Sequence, residues 1–222
     1  MFNEGSVDGP VTPIAARVAP GLRRSSVVRP GDDPAAARIL DAAVTAFGQR
    51  GYHGASIRDV AQLAQVSPGS LYNYFATKQD ILFTIMDRGI SRLVEVTEQA
   101  LFDAPADPVS RLRAVVGTHV RNHARGTVES LIGNSELRSL EPGNRAVIVA
   151  KRDAQQRHFE RVIRDGAERG VFDVADPPLT AIYLASACTA TATWYSPDGA
   201  LSVDELVERF ENLALATVGA QR

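Results

Sequence analysis

Hydrophobic residues recur at helical spacing along most of the chain after residue 32. A first apolar stripe opens with Asp33 and Pro34, a helix N-cap followed by proline, and ends at Gly51. No segment alternates polar and apolar residues as a β-strand does, so the pattern predicts an all-α fold. Beyond residue 76 the stripes predict helices from Thr77 to about Leu101, from Pro108 to about Ala124, from Val128 to near Pro142, and at 144–169, 178–195 and 203–218.

Three helix-start signals fall within residues 56–80. Two are capping boxes, in which Ser or Thr is followed three residues later by Asp, and one is an N-cap serine followed by proline. In chain order they are Ser56 with Asp59, Ser67 with Pro68, and Thr77 with Asp80. Gln65 and Val66 form the turn between the first two. The spacing therefore predicts two short helices joined by a turn and followed by a long helix, which is a helix-turn-helix.

The second short helix of this unit is rich in groups that can reach DNA. Gly69 in its first turn lets a phosphate backbone come close. Asn73 is placed to reach base edges, whereas the hydroxyls and Lys78 suit phosphates. Tyr74 is also compatible with a place in the core. The predicted contacts to double-stranded DNA are Ser56, Arg58, Ser67, Pro68, Gly69, Ser70, Tyr72, Asn73, Tyr74 and Lys78.

The end of this unit, Leu71-Tyr72-Asn73-Tyr74-Phe75 followed by Lys78, resembles the DNA-binding signature of TetR-type transcriptional repressors. The resemblance covers about residues 33–82. It implies a three-helix DNA-binding domain at 33–80 and a larger helical ligand-binding and dimerisation domain at 81–222. One difference is Pro68, where many relatives carry Lys or another polar residue, which leaves this helix fewer phosphate contacts.

The last two predicted helices favour a homodimer. Residues 178–195 are poor in charge and contain small residues that allow close helix approach, and an apolar stripe at Leu206, Phe210 and Leu213 would be partly exposed in one copy. A single helix-turn-helix makes few contacts, and a two-fold dimer doubles them on a palindromic operator. In TetR-type relatives these two helices form a four-helix interface, and the resemblance implies the same here.

Overall charge does not by itself indicate DNA binding. The 222 residues carry 24 Lys and Arg against 26 Asp and Glu, a net charge of −2, whereas nucleic-acid-binding domains are usually basic. Residues 1–32 are rich in Gly, Pro and Ser and are predicted to be a disordered extension. This extension is either a basic arm that follows the DNA backbone or a solvated tail. Its basic residues are Arg17, Arg23, Arg24 and Arg29.

Other function classes lack their sequence patterns. No glycine-rich phosphate loop follows a strand, no nucleophile elbow occurs, and the single cysteine, Cys188, has no histidine near it in sequence. We therefore expect a binding protein rather than an enzyme, with no cofactor. One cysteine cannot form an internal disulfide, and no apolar run approaches a membrane span. We expect a cytoplasmic protein without a membrane partner.

Two histidines at helical spacing, His119 and His123, share one face of a predicted helix and are able to bind a transition metal. There is no cysteine cluster and no metalloprotease pattern between them, and a third ligand would have to come from a distant helix, such as those with Glu136 or His158. We therefore predict no metal site. The favoured interpretations are polar groups lining a ligand cavity, or partly exposed histidines without a special task.

The helices after residue 108 mix apolar residues with a few polar ones, as small-molecule cavities do. The same residues can alternatively fill a core. The predicted ligand contacts are Val116, His119, Val120, His123, Asn134, Leu137, Arg138, Phe159, Ile163, Tyr183 and Trp194.

A second, looser resemblance concerns the ligand class. Residues 135–140, Arg152, Phe159 and 194–202 are similar to TetR-type regulators of fatty-acid and steroid degradation, several of which release DNA on binding an acyl-CoA thioester. The resemblance implies a small hydrophobic effector, with an acyl-CoA thioester as the favoured class. The alternative is a repressor that senses drugs or aromatic compounds. The arginines available for the phosphates of a thioester are Arg138, Arg145, Arg152 and Arg157.

Overall fold

The computed structural model describes residues 25–220, and within this range the chain is helical with no β-strand. The predicted all-α fold is confirmed. No helix among the described residues is long and apolar enough to cross a membrane. The helices of this range are α1 (Pro34–Gly54), α2 (Ile57–Leu63), α3 (Pro68–Tyr72), α4 (Lys78–Asp103), α5 (Pro108–Arg125), α6 (Thr127–Ser135), α7 (Pro142–Glu168), α8 (Pro177–Trp194) and α9 (Val203–Thr217).

Helices α1 to α3 form the head, and each begins where the sequence predicts. Asp33 accepts hydrogen bonds from the backbone of the first turn of α1, and the two predicted capping boxes open α2 and α4. Two helices differ from the prediction at their ends. Gly51, with φ of 70°, breaks α1, but helical structure continues to Gly54. Helix α6 ends at Ser135, and a 3₁₀ turn at Leu137–Ser139 follows it.

Residues 25–32 pack against the helices, which corrects the prediction that the whole of 1–32 is a disordered extension. Val27 is 1% exposed. The Arg88 guanidinium of α4 donates to the Val27 carbonyl at 3.2 Å and pairs with the Asp32 carboxylate at 2.5 Å. Local composition misses these contacts because their partners lie far away in sequence. Of the predicted basic arm, Arg17, Arg23 and Arg24 lie outside the described residues.

Two hydrophobic clusters divide the described residues, and their division does not follow the predicted domain border. The first cluster joins the head to the first turns of α4, to Ile132 of α6 and to Ile148 of α7. The second fills the space between α5, α7, α8 and α9. These four helices together with α4 and α6 form the body. Helix α6 thus contributes a residue to the core of the head as well as belonging to the body.

Candidate DNA-binding surface and ligand-binding cavity

Helix α3 is short and is held by apolar residues on one side. Leu71 is fully buried, and Phe75, just after the helix, is 9% exposed. The Ser67 hydroxyl caps the helix by accepting from the Ser70 backbone N–H at 3.0 Å. With its inner side fixed in this way, α3 turns Tyr72, 52% exposed, and Asn73 towards solvent. Tyr72 and Asn73, which the sequence predicts to contact DNA, are thus accessible from solvent.

The other predicted DNA contacts lie on α3 itself, at Pro68, Gly69 and Ser70, or before and after it along the chain. Arg58, Pro68 and Gly69 are exposed, Tyr74 is 40% exposed, and Ser70 is partly buried. Ser56 is exposed, but its hydroxyl both accepts from the Asp59 N–H and donates to the Asp59 carboxylate. The hydroxyl bond to the carboxylate, a second bond from the Ser56 backbone N–H and a further one from Arg50 lower the pKa of Asp59 to about 2. The cap therefore stays charged near neutral pH and keeps α2 in place.

Lys78 at the start of α4 lies over an aromatic ring. Its Nζ is 4.2 Å from the ring centroid of Tyr52 and 5.9 Å from that of Phe47. Burial lowers the pKa of Lys78, while Glu136 and Asp59 act in the opposite direction. A cation held against a ring face loses rotamer freedom. Lys78 is thus a positioned charge beside α3 rather than a freely moving one.

A hydrogen-bonded network, the head–body junction, connects the turn after α6 to the head. The Ser139 carbonyl accepts from Gln79 Nε2 at 2.6 Å, and the same nitrogen lies 3.0 Å from the Tyr52 hydroxyl. Gln79 Oε1 accepts from the Glu141 N–H at 3.2 Å. The junction comprises Glu136, Ser139 and Glu141 between α6 and α7, Tyr52 and His53 of the head, and Gln79 in the first turn of α4.

The body contains a cavity of about 520 Å³ that is partly open to solvent, a volume typical of small-molecule sites. Its walls come from α4, α5, α6, α7 and α8, and Ser26 of the N-terminal segment closes part of one side. The Glu129 carboxylate of α6 accepts from both the backbone N–H and the hydroxyl of Ser26. The apolar part of the wall is formed by Ile85, Met86, Ile90, Leu93, Ile148 and Ile182.

Two stacked histidines form part of the cavity wall. The rings of His119 and His123 are nearly parallel, with centroids 4.5 Å apart. Burial lowers the pKa of both, strongly for His119, so both are neutral near pH 7. Residues 25–220 contain no group of three or more His, Cys, Asp or Glu side chains arranged to hold a metal ion. The pair is therefore a polar surface on the cavity.

A chain of hydrogen bonds extends from this pair across four helices. His119 Nε2 lies 3.0 Å from the Thr189 hydroxyl of α8, and its Nδ1 lies 3.4 Å from Gln155 Nε2 of α7. The same Gln155 nitrogen donates to the Thr97 hydroxyl of α4 at 3.0 Å. Gln155 Oε1 has no hydrogen-bond partner within the described part of the chain. An unpaired buried acceptor costs about 1–3 kcal/mol.

One arginine of the wall is half-buried without a counter-ion among the described residues. Arg152 of α7 donates to the Gly133 carbonyl of α6 at 2.6 Å. It forms no ion pair with any residue in 25–220, and burial lowers its pKa. Arg92 of α4, which also lines the cavity, is exposed and marks its solvent edge. The cavity thus combines an apolar wall with the charges of Arg92, Arg152 and Glu129.

The structure divides the predicted ligand residues into two groups. Along the cavity lie His119, His123, Asn134 and Arg152. The others lie outside it. Four are buried in the second cluster, namely Val116, Val120, Phe159 and Ile163, and Leu137 packs on the first cluster. The remaining residues are exposed away from the cavity, namely Arg138, Arg145 and Arg157, and Tyr183 and Trp194 on the exposed side of α8. Apolar periodicity marks a buried face but does not tell a filled core from a cavity wall.

Several cavity residues are absent from the prediction, among them Arg92, Gln155 and Thr189. A signal for two of the lining residues is present in the sequence. Arg152 and Gln155 interrupt a helix face that is otherwise apolar at Ile148 and Phe159. Long polar side chains in the middle of a buried face need partners, and such an interruption is typical of a polar cavity wall.

Comparisons with known proteins agree with this architecture. Residues 39–85 match the domain family described as bacterial regulatory proteins, tetR family, and residues 105–218 match the tetracyclin repressor-like C-terminal domain. The HTH-type transcriptional repressor KstR2 of Mycobacterium tuberculosis is 24% identical over 182 residues, which cover 81% of this chain and 90% of KstR2.

Two solved structures superpose over most of the chain. A tetR-family regulatory protein from Rhodococcus RHA1 has a TM-score of 0.81 at 29% identity, covering 86% of this chain and 100% of that one. AibR, solved with isovaleryl coenzyme A and operator DNA, has a TM-score of 0.75 at 24% identity, covering 84% of this chain and 100% of that one.

A helix-turn-helix head on an all-α body with an internal cavity defines a DNA-binding transcription regulator. The chain belongs to the TetR family. Its relatives are regulators, and the prediction that it is not an enzyme is confirmed.

Proposed function

We propose that this protein is a repressor that leaves its operator when a small hydrophobic effector, of the acyl-CoA thioester class, occupies the cavity. In this proposal residues 33–80 bind DNA, and residues 81–222 bind the effector and form the dimer. The observation that carries it is the double role of α6. Ser130 and Asn134 of α6 line the cavity, while Ile132 of the same helix is buried in the head cluster.

The route from cavity to DNA runs through the head–body junction. Helix α6 ends at Ser135, and the carboxylate of Glu136, the next residue, accepts a hydrogen bond from the Tyr52 backbone N–H. The ammonium group of Lys78 lies over the Tyr52 ring. A ligand that displaces α6 therefore shifts the start of α4 and the head with it. By linkage, the effector must bind the arrangement that does not bind DNA more tightly than the one that does.

The effector class is supported by the charge of the cavity. Arg152 is half-buried and forms no ion pair with any residue in 25–220, and Arg92 adds a second cation at the solvent edge. An acyl chain suits the apolar wall, and anionic groups of a thioester suit the two guanidinium groups. The ligand printed for AibR, isovaleryl coenzyme A, belongs to this class. An uncharged drug or aromatic compound would leave Arg152 without an anion.

On the DNA side we propose that Asn73 and Tyr72 reach base edges and that Lys78 contacts phosphate. Arg58, Ser70 and Tyr74 support them, and Ser56, Ser67, Pro68 and Gly69 shape the backbone that meets the DNA. Two such heads are brought together in a homodimer through the outer sides of α8 and α9. There Leu179, Tyr183, Trp194 and Leu213 are between 46% and 63% exposed. An apolar patch of this kind is typical of a protein interface.

A mobility-shift assay on the DNA flanking the protein's own gene tests the proposal. Isovaleryl-CoA and a long-chain acyl-CoA are titrated against the corresponding free acids. We expect release by at least one thioester at concentrations where its free acid has no effect. An equal response to thioester and acid, or no response to either, would reject the thioester class.

A pair of arginine variants on one helix sharpens this assay. Arg152→Gln removes the half-buried cation of the cavity and should abolish release by the thioester while leaving operator binding intact. Arg157→Gln is the matched control, because Arg157 lies on the same helix but is exposed and away from the cavity. If both variants respond as the unmodified protein does, Arg152 does not bind the effector.

A further inference from the structure

The cavity contains one polar side chain whose bonding is incomplete. Gln155 is 3% exposed, lines the cavity, and has an unpaired Oε1 among the described residues. The Gln155 side-chain nitrogen already has two hydrogen-bond partners, the Thr97 hydroxyl and His119 Nδ1. Buried side-chain polar atoms in native proteins nearly always have a partner. The unpaired end of this amide belongs to a cavity-lining residue but has almost no accessible surface, so a ligand group reaches it once the side chains around it move.

The hydrogen-bonding chemistry of the amide limits which ligand groups can bind at its unpaired end. If the nitrogen faces Thr97 and His119, the free end accepts a hydrogen bond; if the amide is turned over, the free end donates one. His119 and Thr189 can adjust to either case, because an imidazole has two tautomers and a hydroxyl both donates and accepts. A hydroxyl group on the ligand satisfies both orientations, whereas a carbonyl or an ether oxygen satisfies only one.

We propose that Gln155 recognises a hydroxyl group on the apolar part of the effector, so that the effector is a hydroxylated acyl thioester. This inference rests on the proposed function of the cavity. Arg152 and Gln155 are three residues apart on α7 and thus share one side of the helix. Arg152 faces the anionic end of such a ligand, and Gln155 faces a hydroxyl further along its chain. The apolar wall at Ile85 and Ile148 takes the remaining carbons.

The chain of hydrogen bonds also connects the hydroxyl group of the ligand to helices that take part in regulation. Gln155 bonds to Thr97 of α4, and α4 begins at Lys78 beside the DNA-binding helix. Through His119 the same chain reaches Thr189 of α8, the helix that carries part of the exposed apolar side. A hydroxylated ligand therefore acts on α4 and α8 at once, whereas a plain acyl chain touches only the apolar wall.

The test compares decanoyl-CoA, 3-hydroxydecanoyl-CoA and 10-hydroxydecanoyl-CoA by calorimetric titration and by release of operator DNA. We expect one hydroxylated thioester to bind about tenfold more tightly than decanoyl-CoA, as one satisfied buried hydrogen bond implies. Gln155→Leu should remove that difference. Gln156→Leu is the matched control, since Gln156 also lines the cavity but is only half-buried, and it should keep the difference.

The outcomes separate the two proposals. Equal affinity for all three thioesters, together with release of DNA, would overturn the role of Gln155 and leave the proposed function standing. Absence of binding by every thioester would overturn both. The comparison of probes on the unmodified protein decides the question even if Gln155→Leu does not fold.

Discussion

The Glu136 carboxylate accepts a hydrogen bond from the Tyr52 backbone N–H, with 3.3 Å between Oε1 and N. Glu136 directly follows α6, and Tyr52 lies near the end of α1, so this bond joins the cavity wall to the DNA-binding head. The other Glu136 oxygen accepts from the Ser139 hydroxyl at 2.7 Å, which fixes the turn that reaches Gln79. In the proposed function, regulation by a ligand depends on these few polar contacts at the junction.

Gln79→Ala should uncouple the cavity from the head. The change removes the bonds of Gln79 to Ser139, Tyr52 and Glu141, and we expect the free energy of unfolding to fall by about 1–3 kcal/mol. The variant should still bind operator, but the ratio of operator affinities without and with an active acyl-CoA should fall towards one. Mobility shifts measure that ratio. Gln99→Ala, an exposed glutamine on the same helix, is the control, and an unchanged ratio in Gln79→Ala would show that the signal takes another route.

Two variants of the DNA-binding surface should weaken DNA binding in different ways. Asn73→Ala should cost about 1–3 kcal/mol of operator binding and relax sequence preference, because a base contact is lost. Lys78→Gln should weaken binding to operator and scrambled DNA alike, and should reduce the salt slope by about one, because a phosphate contact is lost. Titrations at several salt concentrations separate the two effects. If Asn73→Ala binds operator as tightly as the unmodified protein, α3 docks in another orientation.

Leu213→Glu should convert the proposed dimer to monomers. Leu213 is 63% exposed on α9, and Trp194 of α8 stacks on Phe210 of α9 with 6.2 Å between ring centroids. A carboxylate in the apolar centre of an interface is left without a partner or water. Sedimentation at micromolar concentration gives the result. Glu208→Ala, an exposed change on the same helix, should remain dimeric, and a dimeric Leu213→Glu would place the interface elsewhere.

Two glycine-to-alanine changes in helices should have opposite effects on stability. A Cβ at Gly166 of α7 would lie 2.0 Å from Phe172 Cδ2, and Phe172 is 4% exposed and cannot move aside. We expect Gly166→Ala to lose about 1–3 kcal/mol. A Cβ at Gly89 of α4 meets nothing within 4 Å, so Gly89→Ala should gain about 0.5–1 kcal/mol from helix propensity. Urea unfolding measures both. A neutral Gly166→Ala would mean that the Phe172 ring can repack.

The stacked histidines should make stability fall in mild acid. Burial holds the pKa of His119 well below its ordinary value of 6.5. As pH falls through 6.5 the unfolded chain therefore takes up a proton that the folded protein does not, and the free energy of unfolding decreases. Urea unfolding between about pH 8 and about pH 5 follows this loss. His119→Gln cannot take up that proton and should show a smaller decrease; the same slope in both proteins would contradict the assignment.

Some features of the head could be predicted from neighbouring residues alone. The caps at Ser56, Ser67 and Thr77 act over three residues, so their effect does not depend on the rest of the fold. The burial of Leu71 and the exposure of Tyr72 also follow from local helix geometry. Local signals failed for residues 25–32, because their partners, Arg88 and Glu129, are brought near only by folding.

By itself, the sequence determined the all-α class, the helix starts and the helix-turn-helix, since periodicity and capping are local properties. Only the tertiary structure decided which buried positions line a cavity. Phe159 and Gln155 both lie on the buried side of α7, yet Phe159 fills the core of the body and Gln155 lines the cavity. The difference arises from packing between helices. A buried side chain lines a cavity where the facing helices leave space beside it and fills the core where they do not, and that space depends on residues far apart in the chain.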